Sequence, residues 1–271
     1  MTGTEPSFRI PNLLHALFFF TLTVFAFLLA EAGGLALTHK TPVLTTLMNQ
    51  KIQLFVEAAA YGLALAAAWF AMPVFWHRPF LAGLQWNADK VRPWLGLVGI
   101  ALGFAVQGIS VVIPHPKDLP IEDFFHNPEL IWFMAFFGVV VGPLFEEVLF
   151  RGFLLPAIAI AVDYIRIPRD ADPLVSLERL IAWRSSTGFS QAALVVSTIV
   201  TSLFFALLHA PQLGYTWPAV ALLAAVSVVL CVVRIRTGSV AASTVVHGFY
   251  NLSVFVSLFL ATGGFRHLDR V

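Results

Sequence analysis

The feature that most constrains this chain is a succession of apolar runs, each about as long as a lipid bilayer is thick. A helix rises 1.5 Å per residue, so crossing a hydrocarbon core of about 30 Å takes about 20 mostly apolar residues. Seven stretches meet or approach that requirement: 11–37, 52–75, 94–113, 130–162, 190–209, 217–233 and 239–262. Lipid offers no hydrogen-bond partners, so backbone crossing it must be helical or close into a barrel. Continuous runs of this length favour the helix. The expected architecture is all-α: a polytopic membrane protein of about seven transmembrane helices, read as one continuous membrane domain. Residues 1–129 supply its first three helices, 130–262 a core with any polar site buried among the fourth, fifth and seventh, and 263–271 a tail.

Composition agrees. Of 271 residues, 59% are hydrophobic and 11% charged, against about 25% charged in a typical soluble domain. Mean hydropathy is +0.85, so the exterior is expected to face lipid, and the bilayer is the first partner. The net charge of +1 gives no electrostatic argument for nucleic acid. One cysteine, Cys231, allows neither a disulfide framework nor a thiolate cluster. The first apolar run is long for the hydrophobic region of a signal peptide, about 7–15 residues, and is read as a retained span.

The connections carry the charge. With the N-terminus inside, Arg9 joins Arg78, Lys90, Arg92, Arg166, Arg169, Arg179, Arg184, Arg234 and Arg236 on one side. Lys40, Lys51, Lys117, Arg266 and Arg270 fall on the other. Basic residues concentrate on the cytoplasmic side, so a multi-pass cell-membrane protein with a cytoplasmic N-terminus is expected. A short interfacial helix is expected around 174–183.

Ionisable groups inside spans are costly and mark functional sites by default. Glu146, Glu147, Arg151, His209 and His247 stand out, with Asn251 as an uncharged companion. Glu31, Glu57 and His15 show no patterned partner and read as interfacial or helix-packing groups. On a helix, residues four apart share a face, so Glu147 can pair with Arg151. Adjacent residues diverge by about 100°, so Glu146 points elsewhere without a local counter-ion. Glu147 is then an orienting group and Glu146 the candidate general base. His209 follows Phe205 by four, and Asn251 follows His247 by four. A His and an Asn projecting together could donate to a developing oxyanion, and Ser243, one turn before His247, could orient its ring. A proton- or cation-coupled transporter would use the same groups, but the repeated halves common in transporters are not evident. A non-catalytic membrane scaffold or immunity protein would more plausibly lack some of them.

Taken in order, Glu146-Glu147 with Arg151, Phe205 with His209, and His247 with Asn251 resemble the EExxxR, FxxxH and HxxxN motifs of the CPBP family. These are the type II CAAX prenyl protease-like intramembrane endopeptidases. The resemblance covers roughly residues 130–255. It implies hydrolysis of a peptide bond in a membrane-associated protein or peptide, a prenylated one being the family's eponymous substrate. Glu146 and His209 would hold and deprotonate a water, His247 and Asn251 would stabilise the oxyanion, and Glu147 with Arg151 would brace the site. Members are also described as metalloproteases, and Zn²⁺ on Glu146, His209 and His247 is the alternative. The absence of an HExxH pair favours the metal-free reading, with no cofactor.

One expectation is internally strained. His209 falls about 28 Å along its span from residue 190, and His247 only about 12 Å along its own from residue 239. They meet only if the fifth helix starts outside the bilayer or the segment after it re-enters.

Overall fold

The computed structural model describes residues 9–38, 46–112, 130–186 and 188–266, and among them every regular element is helical. The expected spans are all present: α1 (Leu13–Thr38), α2 (Thr46–Trp76), α3 (Trp94–Ser110), α4 (Ile131–Ile165), α6 (Gln191–His209), α7 (Trp217–Thr237) and α8 (Val240–Ala261). Six are long and apolar enough to cross a membrane; α3, at 17 residues, is shorter. The interfacial helix is α5, Pro173–Ser185, started by Asp172, whose side chain accepts from Leu174 N–H at 2.8 Å. Lys40, Lys117, Arg270 and the tail beyond Arg266 lie outside the described residues.

Large apolar side chains such as Leu14 and Phe70 are about three-quarters exposed, the inverse of a soluble surface. In lipid the exterior needs no polar cover, so packing rather than apolar burial must hold the helices together. That packing is close where side chains are small. A Cβ at Gly99 would stand 2.4 Å from the Val246 carbonyl, and one at Gly103 1.8 Å from Ser253 Oγ. Both glycines lie on α3 and let it approach the backbone of α8. On the other side, α1 and α2 meet α4 through aromatic rings: Phe19 stacks on Phe153 at 4.4 Å and Tyr61 on Phe145 at 3.9 Å.

The central helix α4 is wound unevenly, and two prolines explain why. Phe137–Val141 and Val148–Leu154 are π-helical, flanking an α-helical turn at Gly142–Glu147. At the end of the first, Gly142 N–H bonds five residues back to Phe137 O. The next donor in that register would serve Gly138 O, but it is Pro143, which has no N–H. The orphaned carbonyl takes Asn251 Nδ2 of α8 at 2.6 Å instead. The second segment repeats the device. Leu155 N–H reaches Phe150 O, the following donor is Pro156, and the stranded Arg151 O takes Arg234 Nε of α7 at 3.3 Å. Each proline thus turns a backbone acceptor outward, and each acceptor ties α4 to a neighbour.

The turn between α7 and α8 is equally tied. Gly238 ends α7 in the left-handed conformation (φ 64°), its N–H donating to Arg234 O. Ser239 caps α8 through Ala242 N–H, and its hydroxyl donates to Asn87 O at 2.8 Å. Asn87 Nδ2 in turn donates to Gly238 O, and Val240 N–H to Gln85 O. These bonds fix the start of α8, and with it the depth of His247.

They also resolve the mismatch in depth. Ser190, at the head of α6, donates its N–H to Asp163 Oδ2, near the far end of α4. Asp163 lies about 24 Å along α4 from Glu147, whereas the head of α8 lies about 12 Å from His247, at 1.5 Å per residue. Since Glu147 and His247 touch, α4 and α6 overhang the start of α8 by about 12 Å. The fifth span begins beyond the seventh, so both histidines reach the same level.

Candidate active site

Glu146 and Glu147 end the α-helical turn between the two π segments, and their environments differ as the 100° divergence requires. Glu147 and Arg151 are fully buried. Arg151 Nη1 donates to Glu147 Oε1 at 2.9 Å, and Arg151 Nη2 donates to the carbonyl and hydroxyl of Ser227 on α7 at 3.0 and 2.8 Å. The guanidinium also lies over the Phe205 ring, 4.9 Å from its centroid. An unpaired charge in that interior would cost several kcal/mol, so acid and base depend on each other.

Glu147 Oε1 carries a second load. His247 Nδ1 lies 3.0 Å from it; a carboxylate can only accept, so Nδ1–H donates and Nε2 is the ring nitrogen left facing inward. His209 is fixed in the same sense. Its Nδ1 lies 2.7 Å from Phe205 O, a carbonyl, so Nδ1–H donates and Nε2 is again presented. The Phe205 ring packs on His209 at 4.5 Å and edge-on to His247 at 6.0 Å. Phe205 is therefore the common wall of both imidazoles and of Arg151.

The two presented nitrogens converge on Glu146. His209 Nε2 stands 3.7 Å from Glu146 Oε1, and His247 Nε2 3.8 Å from Glu146 Oε2. Both distances exceed a direct hydrogen bond. The Glu146 and His209 side chains are about one-fifth exposed, 19% and 20%, so the group is reachable from outside while Glu147 is not.

Of the residues singled out in the sequence, Glu146, Glu147, Arg151, His209 and His247 thus form one cluster. Asn251 stands beside it on α8, with one amide hydrogen committed to Gly138 O. Ser243 does not orient His247: its hydroxyl donates to Val240 O within its own helix, and Glu147 holds the ring instead. Glu57 does have a partner, four residues on: Tyr61 Oη donates to its Oε1 at 2.9 Å. Tyr61 stacks on Phe145, the residue before Glu146, which brings α2 to the edge of the cluster. The spacing of Glu57 and Tyr61 was the signal for this pair. Ser227 left none, being one small residue in an apolar helix. His15 packs edge-on against Trp76 and belongs to the α1–α2 contact, while Glu31 is exposed.

As zinc ligands, Glu146, His209 and His247 would have to point at one centre about 2.0–2.2 Å from each donor atom. Here each imidazole faces a different carboxylate oxygen, and no group of three or more His, Cys, Asp or Glu among the described residues has a metal-holding arrangement.

Residues 128–253 match a family model described as type II CAAX prenyl endopeptidase Rce1-like. All six candidate residues fall inside that segment, while α1 to α3 lie outside it. Neither the curated proteins nor the solved structures yield a match. With its apolar helices and its buried acid–histidine cluster, the chain is similar over residues 128–253 to the type II CAAX prenyl endopeptidase Rce1-like family, which fits an intramembrane protease.

Proposed function

We propose that the protein hydrolyses a peptide bond of a membrane-associated protein or peptide, using a water activated by Glu146 without a metal. The observation that carries this reading is the divided role of the two adjacent acids. Glu147 is fully buried, with its Oε1 held by both Arg151 and His247, whereas Glu146 keeps both oxygens free and has an imidazole nitrogen near each.

In this mechanism a water lies against Glu146 and His209. Glu146 removes its proton as the water oxygen attacks the scissile carbonyl, and then passes that proton to the leaving amine. A general base so placed contributes about 10²–10⁴ in rate. His247, when protonated, donates from Nε2 to the tetrahedral oxyanion, and Asn251 adds the amide hydrogen not held by Gly138. Glu147 and Arg151 do no chemistry; they fix the tilt of His247 and of the turn bearing Glu146. A prenylated C-terminal segment is the substrate the family name suggests, entering laterally from the lipid. The N-terminus and the arginine-rich connections face the cytoplasm.

The test uses purified protein in neutral detergent and an internally quenched peptide. Glu146→Ala and His209→Ala should each abolish cleavage while the melting temperature holds. Cleavage at the wild-type rate by Glu146→Ala would overturn the mechanism. Loss of wild-type activity on chelation, restored by Zn²⁺, would overturn its metal-free form.

A further inference from the structure

A cavity lies toward the C-terminal end of α4, and its lining residue Arg234 is one hydrogen bond from Arg151 of the acid–histidine cluster. Its volume is about 500 Å³, and it is walled by Leu155, Pro156, Ala159 and Ile160 of α4. The overhang of α4 and α6 past the head of α8 creates it. None of the residues described above as the candidate active site lines it. Four arginines do, and they come from four separate parts of the chain: Arg9 before α1, Arg78 after α2, Arg184 at the end of α5 and Arg234 on α7. No acidic residue is among its lining residues.

Two of these arginines are built into the wall. The Arg9 side chain is 7% exposed and lies over the rings of Trp183 and Phe189. It donates to Gly188 O through Nη2. Its Nη1 is buried without a hydrogen-bond partner, 3.7 Å from Asp163 Oδ2. Arg234 is likewise buried, held by Arg151 O and by Gln85 Oε1 at 2.7 Å. Proline 156 strands the carbonyl that fixes Arg234, so the backbone of α4 itself positions a cation at this wall. Arg78 is exposed and makes no ion pair with any described residue.

Arg78 and Arg234 form no ion pair with a described residue, Arg9 keeps one buried N–H without a hydrogen-bond partner, and like charges gathered around one space favour an anion between them. Guanidinium forks match phosphate oxygens in pairs, and basic pockets between membrane helices near the headgroup level suit anionic lipids. We propose that this cavity binds a phosphate-bearing anion, with the headgroup of an anionic phospholipid or a free phosphate as its two sources. The apolar α4 wall beside the arginines gives an acyl chain a surface to lie on, which free phosphate would not use. The assignment does not depend on the peptidase reading.

The experiment is mass spectrometry of the intact, full-length protein released from neutral detergent, with phosphatidylglycerol, phosphatidylcholine or inorganic phosphate added in turn. The expected result is retention of phosphatidylglycerol over phosphatidylcholine by about tenfold or more. That preference should be lost in the double variant Arg9→Gln/Arg78→Gln, and weakened in Arg78→Gln alone, an exposed position that leaves the fold intact. The pair Lys90→Gln/Arg92→Gln, at basic positions that do not line the cavity, should retain it. Retention of inorganic phosphate that abolishes lipid binding at equal concentration assigns the site to free phosphate and supports the anion assignment. No preference for either phosphate species over phosphatidylcholine overturns the proposal. Equal loss in the Lys90/Arg92 pair overturns it too, because the attraction would then be general surface charge.

Discussion

At the scale of single residues, the question is how two neighbouring glutamates come to differ. The helix turns about 100° between them, and everything else follows from what each then meets. Glu147 meets Arg151 one turn on and His247 across the interface; Glu146 meets only the edges of two imidazoles. Breaking a buried pair by removing one partner costs about 3–5 kcal/mol. Arg151→Met should therefore destabilise the protein strongly, and Glu147→Gln/Arg151→Met should recover much of that loss, as read by thermal melting in detergent. A double variant no more stable than Arg151→Met would mean that the ion pair is not what holds this region. Tyr61→Phe keeps the ring stack on Phe145 but removes the hydroxyl from Glu57. It should leave melting within about 1 kcal/mol of wild type, the size of one hydrogen bond.

The helix elements show how much of this was legible beforehand. The Glu147–Arg151 pair, and the separation of Glu146 from it, follow from a 3.6-residue period and could be read in the sequence. The rings and carbonyls that pin the histidines could not, because Phe205 O and Glu147 select the tautomers only after α4, α6 and α8 pack. The π winding was also hidden, since nothing local announces a five-residue register. Its trace is the pair of prolines, Pro143 and Pro156, placed where the next π donor would fall. A stranded buried acceptor costs about 1–3 kcal/mol, so Asn251→Leu should destabilise by about that amount and reduce activity with it. In Pro143→Ala the backbone N–H returns and the Asn251→Leu penalty should shrink, a coupling that a double-mutant cycle of melting free energies would detect. Additive effects would mean that the proline does not create the need for the asparagine. The contact of α3 with α8 gives a simpler expectation: Gly103→Val should fail to accumulate in the membrane, because Ser253 already occupies the space of its side chain.

For the whole molecule, hydropathy sufficed to find the spans, because in lipid the exterior and the interior are both apolar and only length is constrained. The same uniformity concealed which helix is central. The 35-residue run of α4 reads as a long or tilted span, yet its length is the overhang that lets α6 deliver His209 to the depth of His247. Seven crossings would put Arg9 and Arg266 on opposite faces. Single cysteines placed at Lys90 and Arg166 should react with a membrane-impermeant maleimide only after permeabilisation if the arginine-rich face is cytoplasmic. The native Cys231 is buried and should stay silent in that assay.

The central claim rests on one carboxylate, and the isosteric variant Glu146→Gln tests it most directly. This change keeps the shape and one acceptor oxygen while removing the base. Initial rates of peptide cleavage by the purified variant and wild type, in the same lipid and at matched melting temperature, are the measurement. A fall of at least about 10² in rate is the predicted result. A Glu146→Gln enzyme within twofold of wild type would contradict the account.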